Sequence, residues 1–254
     1  MRALIAAELL KLRSTRSAWI PLAAALAAAV IAVIANTSTA GHGGNPPLSP
    51  AALPDLLRSS GGQLVDGAVL LAWIVLSAGE FRHRTSVTTF LGQPRRLRVV
   101  SAKLAAAALT GAAVGLLAEA LSAATSAAVL SAHHVPLHWA QPGVPGAVIT
   151  VPLLAALYGV LGASLGLLLR NTAAALGLAL MWAFVVEGIL PVLIHVPGVV
   201  RWLPQAAANA VLHGASATTL PAGVALAVLA GYAVVLATGG ALVTTRREIG
   251  TATG

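Results

Sequence analysis

The sequence predicts an all-α, polytopic membrane protein with six transmembrane helices, cytoplasmic N- and C-termini, and an amphipathic cytoplasmic segment between the second and third spans. Three observations predict it. Apolar residues make up 58% of the 254 and mean hydropathy is +0.89, against roughly 45–50% apolar usage in soluble domains. Charged residues fall to 9%, where roughly 25% is usual, too few to clothe a water-exposed surface. Apolar runs of about 20 residues, the length that crosses the hydrocarbon layer as a helix, recur along the chain, with basic residues in short blocks beside them.

The first span is residues 17–35, SAWIPLAAALAAAVIAVIA, with Pro21 near its start, where a missing N–H is tolerated in a first turn. The basic segment ahead of it superficially resembles a secretory signal. The run 18–35 exceeds the usual signal core of roughly 7–15 residues, however, so a retained helix is expected. Residues 36–62, rich in Gly, Pro, Ser and Asn, read as an irregular loop with a short helix near 53–59. Residues 61–79 form the second span, with Asp66 near its outer boundary; only 67–79 is free of charge, so a re-entrant segment is the other reading.

The third span, 104–130, is interrupted only by Glu119. At about 1.5 Å per residue it reaches roughly 40 Å, so it must tilt or project from the membrane. Residues 131–146, SAHHVPLHWAQPGVPG, form a Pro/Gly-punctuated loop. The fourth and fifth spans, 147–169 and 172–194, are separated only by Arg170 and Asn171, which imposes an antiparallel hairpin; Pro191 and Pro197 mark where the fifth bends or ends. The run 205–213 reads as an interfacial or partly re-entrant helix, and the last span, 221–243, is followed by TTRREIG and a short polar tail.

Six crossings put both termini on one side, and the charges identify that side. Of the 15 Lys and Arg, all but Arg58 and Arg201 fall in the N-terminal segment, in 82–103, at Arg170, or at Arg246 and Arg247. The positive-inside rule assigns these segments to the cytoplasm. The same agreement supports the second span, because deleting it would invert every later loop. The net charge of +8 therefore marks topology and membrane lipid, not nucleic acid.

Little chemistry is on offer. The chain has no cysteine, hence no disulfide or thiolate site, and no GxxxxGK[ST] or HExxH element. It is not expected to be an enzyme, and needs no cofactor or metal of its own. His133, His134 and His138 read as ordinary loop residues. Two intramembrane acids are more informative, since an ionised carboxylate in hydrocarbon must face protein, water or the interface. Glu187, with Pro191, reads as a structural or gating site, substrate contact and an interfacial position being the alternatives; for Glu119 they are structural pairing, pathway contact, or projection of its long helix. Gly111, Gly115, Gly159, Gly162 and Gly166 form small faces that suit close helix packing more than a pore lining.

The segment GEFRHRTSVTTFLGQPRRLRVVSAK, residues 79–103, concentrates charge between two apolar spans. If 81–91 is helical, Val87, Phe90 and Leu91 share an apolar face with Phe81 near its start, and Gly92 and Pro94 end the helix. Glu80 has Arg82 and Arg84 as neighbours in sequence, while Arg95, Arg96 and Arg98 can snorkel to headgroups at the foot of the third span.

With AELLKLRSTRSAWI (7–20), the hairpin LGLLLRNTAAALG (165–177), EGILP (187–191), RWLPQAAANAV (201–211) and the terminal TTRRE (244–248), this segment resembles, in order and membrane spacing, the ABC-2 type permease family, membrane subunits of ATP-binding-cassette exporters. The resemblance covers nearly the whole chain and implies one transmembrane domain, 1–254, in a cell membrane, most simply a bacterial plasma membrane. It implies that Glu80, Phe81, Arg82, Arg84, Phe90 and Leu91 face a separate ATPase subunit, where ATP and Mg would be bound, and that AELLKLRSTR is an interfacial helix beside them. A second permease copy, or a homologous permease, would complete the pathway. A hydrophobic drug, a peptide or a lipid all remain open as cargo, and a non-transporting structural or signalling membrane partner is the alternative class.

Overall fold

The structure, a computed structural model, describes residues 1–42, 47–61, 63–82, 95–189, 192–193, 197–214 and 219–246. Among them the secondary structure is entirely helical, and six helices are long and apolar enough to cross a membrane. In chain order the helices are α1 (Arg2–Ser14), α2 (Arg16–Ser38), α3 (Leu53–Gly61), α4 (Gln63–Arg82), α5 (Arg96–Ala132), α6 (Val144–Leu169), α7 (Thr172–Met181), α8 (Pro197–Val200), α9 (Pro204–His213) and α10 (Ala222–Arg246). A 3-10 turn, Pro50–Ala52, precedes α3, and α7 continues as a π-helical segment, Trp182–Ile189.

All six expected spans are present, with shifted boundaries. The second is a full helix, Leu64–Arg82, and not a re-entrant segment. It carries on past the expected end at 79, so Glu80, Phe81 and Arg82 form its last turn. The third begins at Arg96, so Arg96, Arg98 and Lys103 belong to its first turns. Pro21 falls in the second turn of α2, not the first, because the helix already starts at Arg16. The described part of the fifth span ends at Ile189, and Pro191 lies outside the described residues.

The core is organised around α6, which packs against α5, α4 and α10. Lipid tails are as apolar as leucine, so helices in a membrane gain from fitting closely and not from leaving water. The five glycines supply that fit. A methyl group at Gly111 would collide with the Ala155 carbonyl, one at Gly115 would lie 2.7 Å from Pro152 Cα, and one at Gly159 would lie 2.5 Å from the Ala107 oxygen, all across the α5–α6 contact. At Gly162 the Leu70 carbonyl, and at Gly166 the Ser77 Cβ at 2.7 Å, close the α4–α6 contact in the same way. They are packing residues, as expected. The Trp73 indole N–H donates to Thr110 Oγ1 at 2.8 Å and ties α4 to α5.

The hairpin between α6 and α7 is built from its two connecting residues. Arg170 takes a left-handed conformation, φ +53, which stops α6, and the Asn171 side chain accepts from the Ala174 amide at 3.1 Å to start α7.

At 37 residues α5 is roughly 55 Å long and overshoots the bilayer core. Each end is covered. At the end rich in basic residues α1 packs on it; at the other, Leu130 joins Leu53, Leu56 and Leu57 of α3 and Val144 in one apolar cluster. Arg58 fastens this outer cap by donating to the Gly143 carbonyl at 3.3 Å, and Gln141 by donating to that of Pro50 at 2.8 Å.

Candidate functional site

The basic end of the bundle holds a buried network of two acids and two lysines. The Lys103 ammonium lies 2.6 Å from Glu8 Oε2 and 2.7 Å from Glu80 Oε1; the Lys11 ammonium lies 2.6 Å from Glu8 Oε1 and 2.9 Å from Glu80 Oε1. Side-chain exposure is 2% for Lys103, 5% for Glu8, 12% for Glu80 and 33% for Lys11. Two positive and two negative groups cancel, which permits such burial where an unpaired charge would be prohibitive. Burial opposes the charge on Lys11, yet the carboxylates of Glu80 and Glu8 outweigh it and hold its ammonium above the ordinary lysine range.

Three helices meet there. Glu8 and Lys11 come from α1, Glu80 from the last turn of α4 and Lys103 from the second turn of α5. Beneath the ions, Leu12, Leu76, Trp73, Ala106 and Ala107 form one apolar cluster with Ile5 and Leu9 packed against it. The network thus joins α1 to both helices from which residues 83–94 depart.

A second set of contacts closes the same end. The Arg170 guanidinium lies over the Phe81 ring, 4.9 Å from its centre, and donates to the Val243 carbonyl at 2.8 Å. Arg96 donates to the carbonyls of Thr244 and Thr245 at 3.2 and 3.3 Å. Cations placed on the last carbonyls of α10 satisfy groups that no helical N–H can reach and oppose the negative end of the helix dipole. Arg96 is therefore engaged with a neighbouring helix, whereas a headgroup contact was expected; Arg95 and Arg98 are exposed.

The residues expected to face a partner are divided by this arrangement. Glu80 is bonded to the lysines of α1 and α5, where Arg82 and Arg84 were the sequence neighbours considered. Phe81 is half-buried under Arg170, and Arg82 is exposed. Arg84, Phe90 and Leu91 lie outside the described residues, as does the rest of the expected helix over 83–91. Sequence reasoning missed Glu8, Lys11 and Lys103 as members of the site. The one local signal was the i, i+3 spacing of Glu8 and Lys11 on a short N-terminal helix.

Glu119 sits on the buried face of α5, followed by the buried Ser122 and Ser126, and neither carboxylate oxygen has a hydrogen-bond partner among the described residues. Glu187 lies in the π-helical segment. Its Oε1 accepts from the Trp182 indole N–H at 2.7 Å, and its Oε2 accepts from the Gln205 backbone N–H at 2.6 Å. The π-helix explains the first bond, because i and i+5 positions stack in that geometry and diverge in an α-helix. The second caps the N-terminus of α9, whose own N-cap residue, Leu203, offers no side-chain acceptor.

Glu187 also lines a cavity of about 490 Å³ between α4, α6, α7, α9 and α10. Tyr158, Trp182 and Tyr232 contribute aromatic rings, and Leu, Ala and Val side chains supply most of the remaining wall. Leu180 and Val235, also in the wall, are exposed on the outer surface of the bundle.

Residues 162–166, GASLG, have the GxSxG spacing of a nucleophile elbow, a pattern that sequence reading did not count, and their setting is not that of an elbow. Ser164 is buried inside α6 and both glycines are packed on α4, with none of the strand-to-helix turn that exposes a nucleophile.

The fold defines a multi-pass α-helical membrane protein with a largely buried ionic foot at its basic end. Compared with known proteins, the chain matches no protein-family model and no curated protein.

Proposed function

We propose that the chain is the permease subunit of an ATP-binding-cassette exporter of the ABC-2 type. A six-span bundle with a short helix ahead of its first span is what that role needs, and the sequence motifs occur in the order the family resemblance requires. The observation that carries the reading is the buried network of Glu8, Lys11, Glu80 and Lys103. It makes one body of α1, the end of α4 and the start of α5, so a displacement of residues 83–94 by a partner is transmitted into two spans at once. Glu80 and Phe81 then act as the root of the coupling segment, and Arg82, Arg84, Phe90 and Leu91 as its contact surface. ATP and Mg belong to the ATPase partner, whose closure drives the motion, and a second permease copy or a homologous permease completes the pathway. Nucleic acid has no part in it.

The test is co-purification of an ATP-binding-cassette ATPase subunit with the chain from its native membrane, compared between the unaltered protein and the double substitution Phe90→Ser and Leu91→Ser, and monitored together with membrane insertion. The expected result is normal insertion with the ATPase lost from the complex. Undiminished assembly and transport would overturn the reading.

A further inference from the structure

We infer that the cavity beside Glu187 is a binding site for a lipophilic cation, a molecule with an apolar body and one positive charge. Among the described residues the lining includes one acid, Glu187, and no lysine, arginine or histidine. The donors that hold the carboxylate, the Trp182 indole and the Gln205 amide, are neutral. They fix its position without cancelling its charge, and among the described residues no basic side chain forms an ion pair with it. Each oxygen accepts one hydrogen bond and retains acceptor capacity for another.

The rest of the wall selects what accompanies the charge. Leucine, alanine and valine side chains favour an apolar body, and a small hydrated cation would exchange its water shell for little more than one carboxylate and two phenol oxygens. Tyr158, Trp182 and Tyr232 add ring faces of the kind that attract an organic cation. The volume, about 490 Å³, falls in the range of roughly 300–1,000 Å³ that accommodates one drug-sized molecule. The exposed Leu180 and Val235, both within spans, put part of its wall on the outer surface of the bundle, which suits a ligand already dissolved in the membrane. An anionic amphiphile of the same shape is repelled by Glu187. The π-helical turn is the device that makes the site, since it brings Trp182 and Glu187 onto one face of the helix.

As the cargo class of the proposed exporter, this inference rests on that reading; as a binding site it does not, and it is tested without any ATPase. The full chain, in nanodiscs of phosphatidylcholine, is titrated with tetraphenylphosphonium and, separately, with uncharged tetraphenylmethane. Saturable binding of the cation is expected, with affinity reduced about tenfold or more in Glu187→Gln, the scale of one partly desolvated charge interaction. The neutral probe should bind Glu187→Gln and the unaltered chain alike. Ala183→Phe, which fills the cavity and leaves the carboxylate in place, should weaken both probes and serves if Glu187→Gln does not fold. Equal affinity of the unaltered chain for the two probes, or cation binding unchanged in either variant, would overturn the inference. Loss of ATPase co-purification in the Phe90 and Leu91 variant is a separate readout, so either idea can fail alone.

Discussion

Lys103 donates to Glu8 at 2.6 Å across 95 positions of sequence, and both side chains are buried. Without Lys103 the largely buried carboxylates of Glu8 and Glu80 share the single Lys11 ammonium, which leaves one negative charge uncompensated at a cost of about 3–5 kcal/mol. Lys103→Met should therefore lower the melting temperature in detergent sharply. Adding Glu80→Met to it removes one charge of each sign and leaves the Glu8 and Lys11 pair intact, so the double variant should be more stable than Lys103→Met alone. Additive losses would show that these ions act independently.

Lys11 sets the pH window of the same network. Its pKa is raised in the folded protein by Glu80 and Glu8, so the native state holds this proton more tightly than the unfolded chain does. That contribution is complete below the ordinary lysine pKa of about 10.4 and is lost as pH rises through the higher folded value. The difference in melting temperature between the unaltered protein and Lys11→Met should stay constant from about pH 6 to about pH 9 and shrink only above about 10.5. A difference that vanishes by neutral pH would contradict the network.

The spans and the hairpin at Arg170 and Asn171 were legible because each is a local matter of run length and turn chemistry. The packing glycines were legible as a class, since small residues at helical spacing on apolar helices have few other uses. The ionic foot was not. Glu80 and Lys103 were read as parts of a polar loop because a hydropathy window cannot tell that α4 and α5 continue to Arg82 and back to Arg96. Their partners on α1 are distant in sequence, and the i, i+3 spacing of Glu8 and Lys11 points to each other and to no residue outside that helix. The π-helical segment was hidden for another reason: WAFVVEGI satisfies the apolar pattern of an ordinary span, and the changed register shows in the backbone of Trp182–Ile189 and in the bond between Trp182 and Glu187.

Gly162 and Gly177 should respond in opposite ways to alanine. A methyl group at Gly162 drives into the Leu70 carbonyl, a backbone atom that cannot rotate aside, whereas at Gly177 nothing lies within 4 Å. Gly162→Ala must separate α6 from α4 and should destabilise by about 1–3 kcal/mol, the usual cost of overpacking. Gly177→Ala relieves the conformational freedom of a helical glycine and should stabilise by about 0.5–1 kcal/mol. Thermal unfolding of the two variants in the same detergent decides it, and equal effects would show that the α4–α6 contact is looser than described.

The topology can be read from cysteine labelling, because the native chain has no cysteine to remove. Ser14 and Ser38 are exposed and flank the first span, Asn171 is exposed in the hairpin at the basic end, and His138 is exposed in the loop that follows α5. Lys11, Lys103, Arg96 and Arg170 gather at the end that carries Ser14 and Asn171, so the positive-inside rule holds that end in the cytoplasm. A membrane-impermeant maleimide added to intact cells should label Ser38→Cys and His138→Cys, and label Ser14→Cys and Asn171→Cys only after permeabilisation. Labelling of Ser14→Cys from outside would invert the bundle and move the ionic foot, with the segment it anchors, away from any cytoplasmic ATPase.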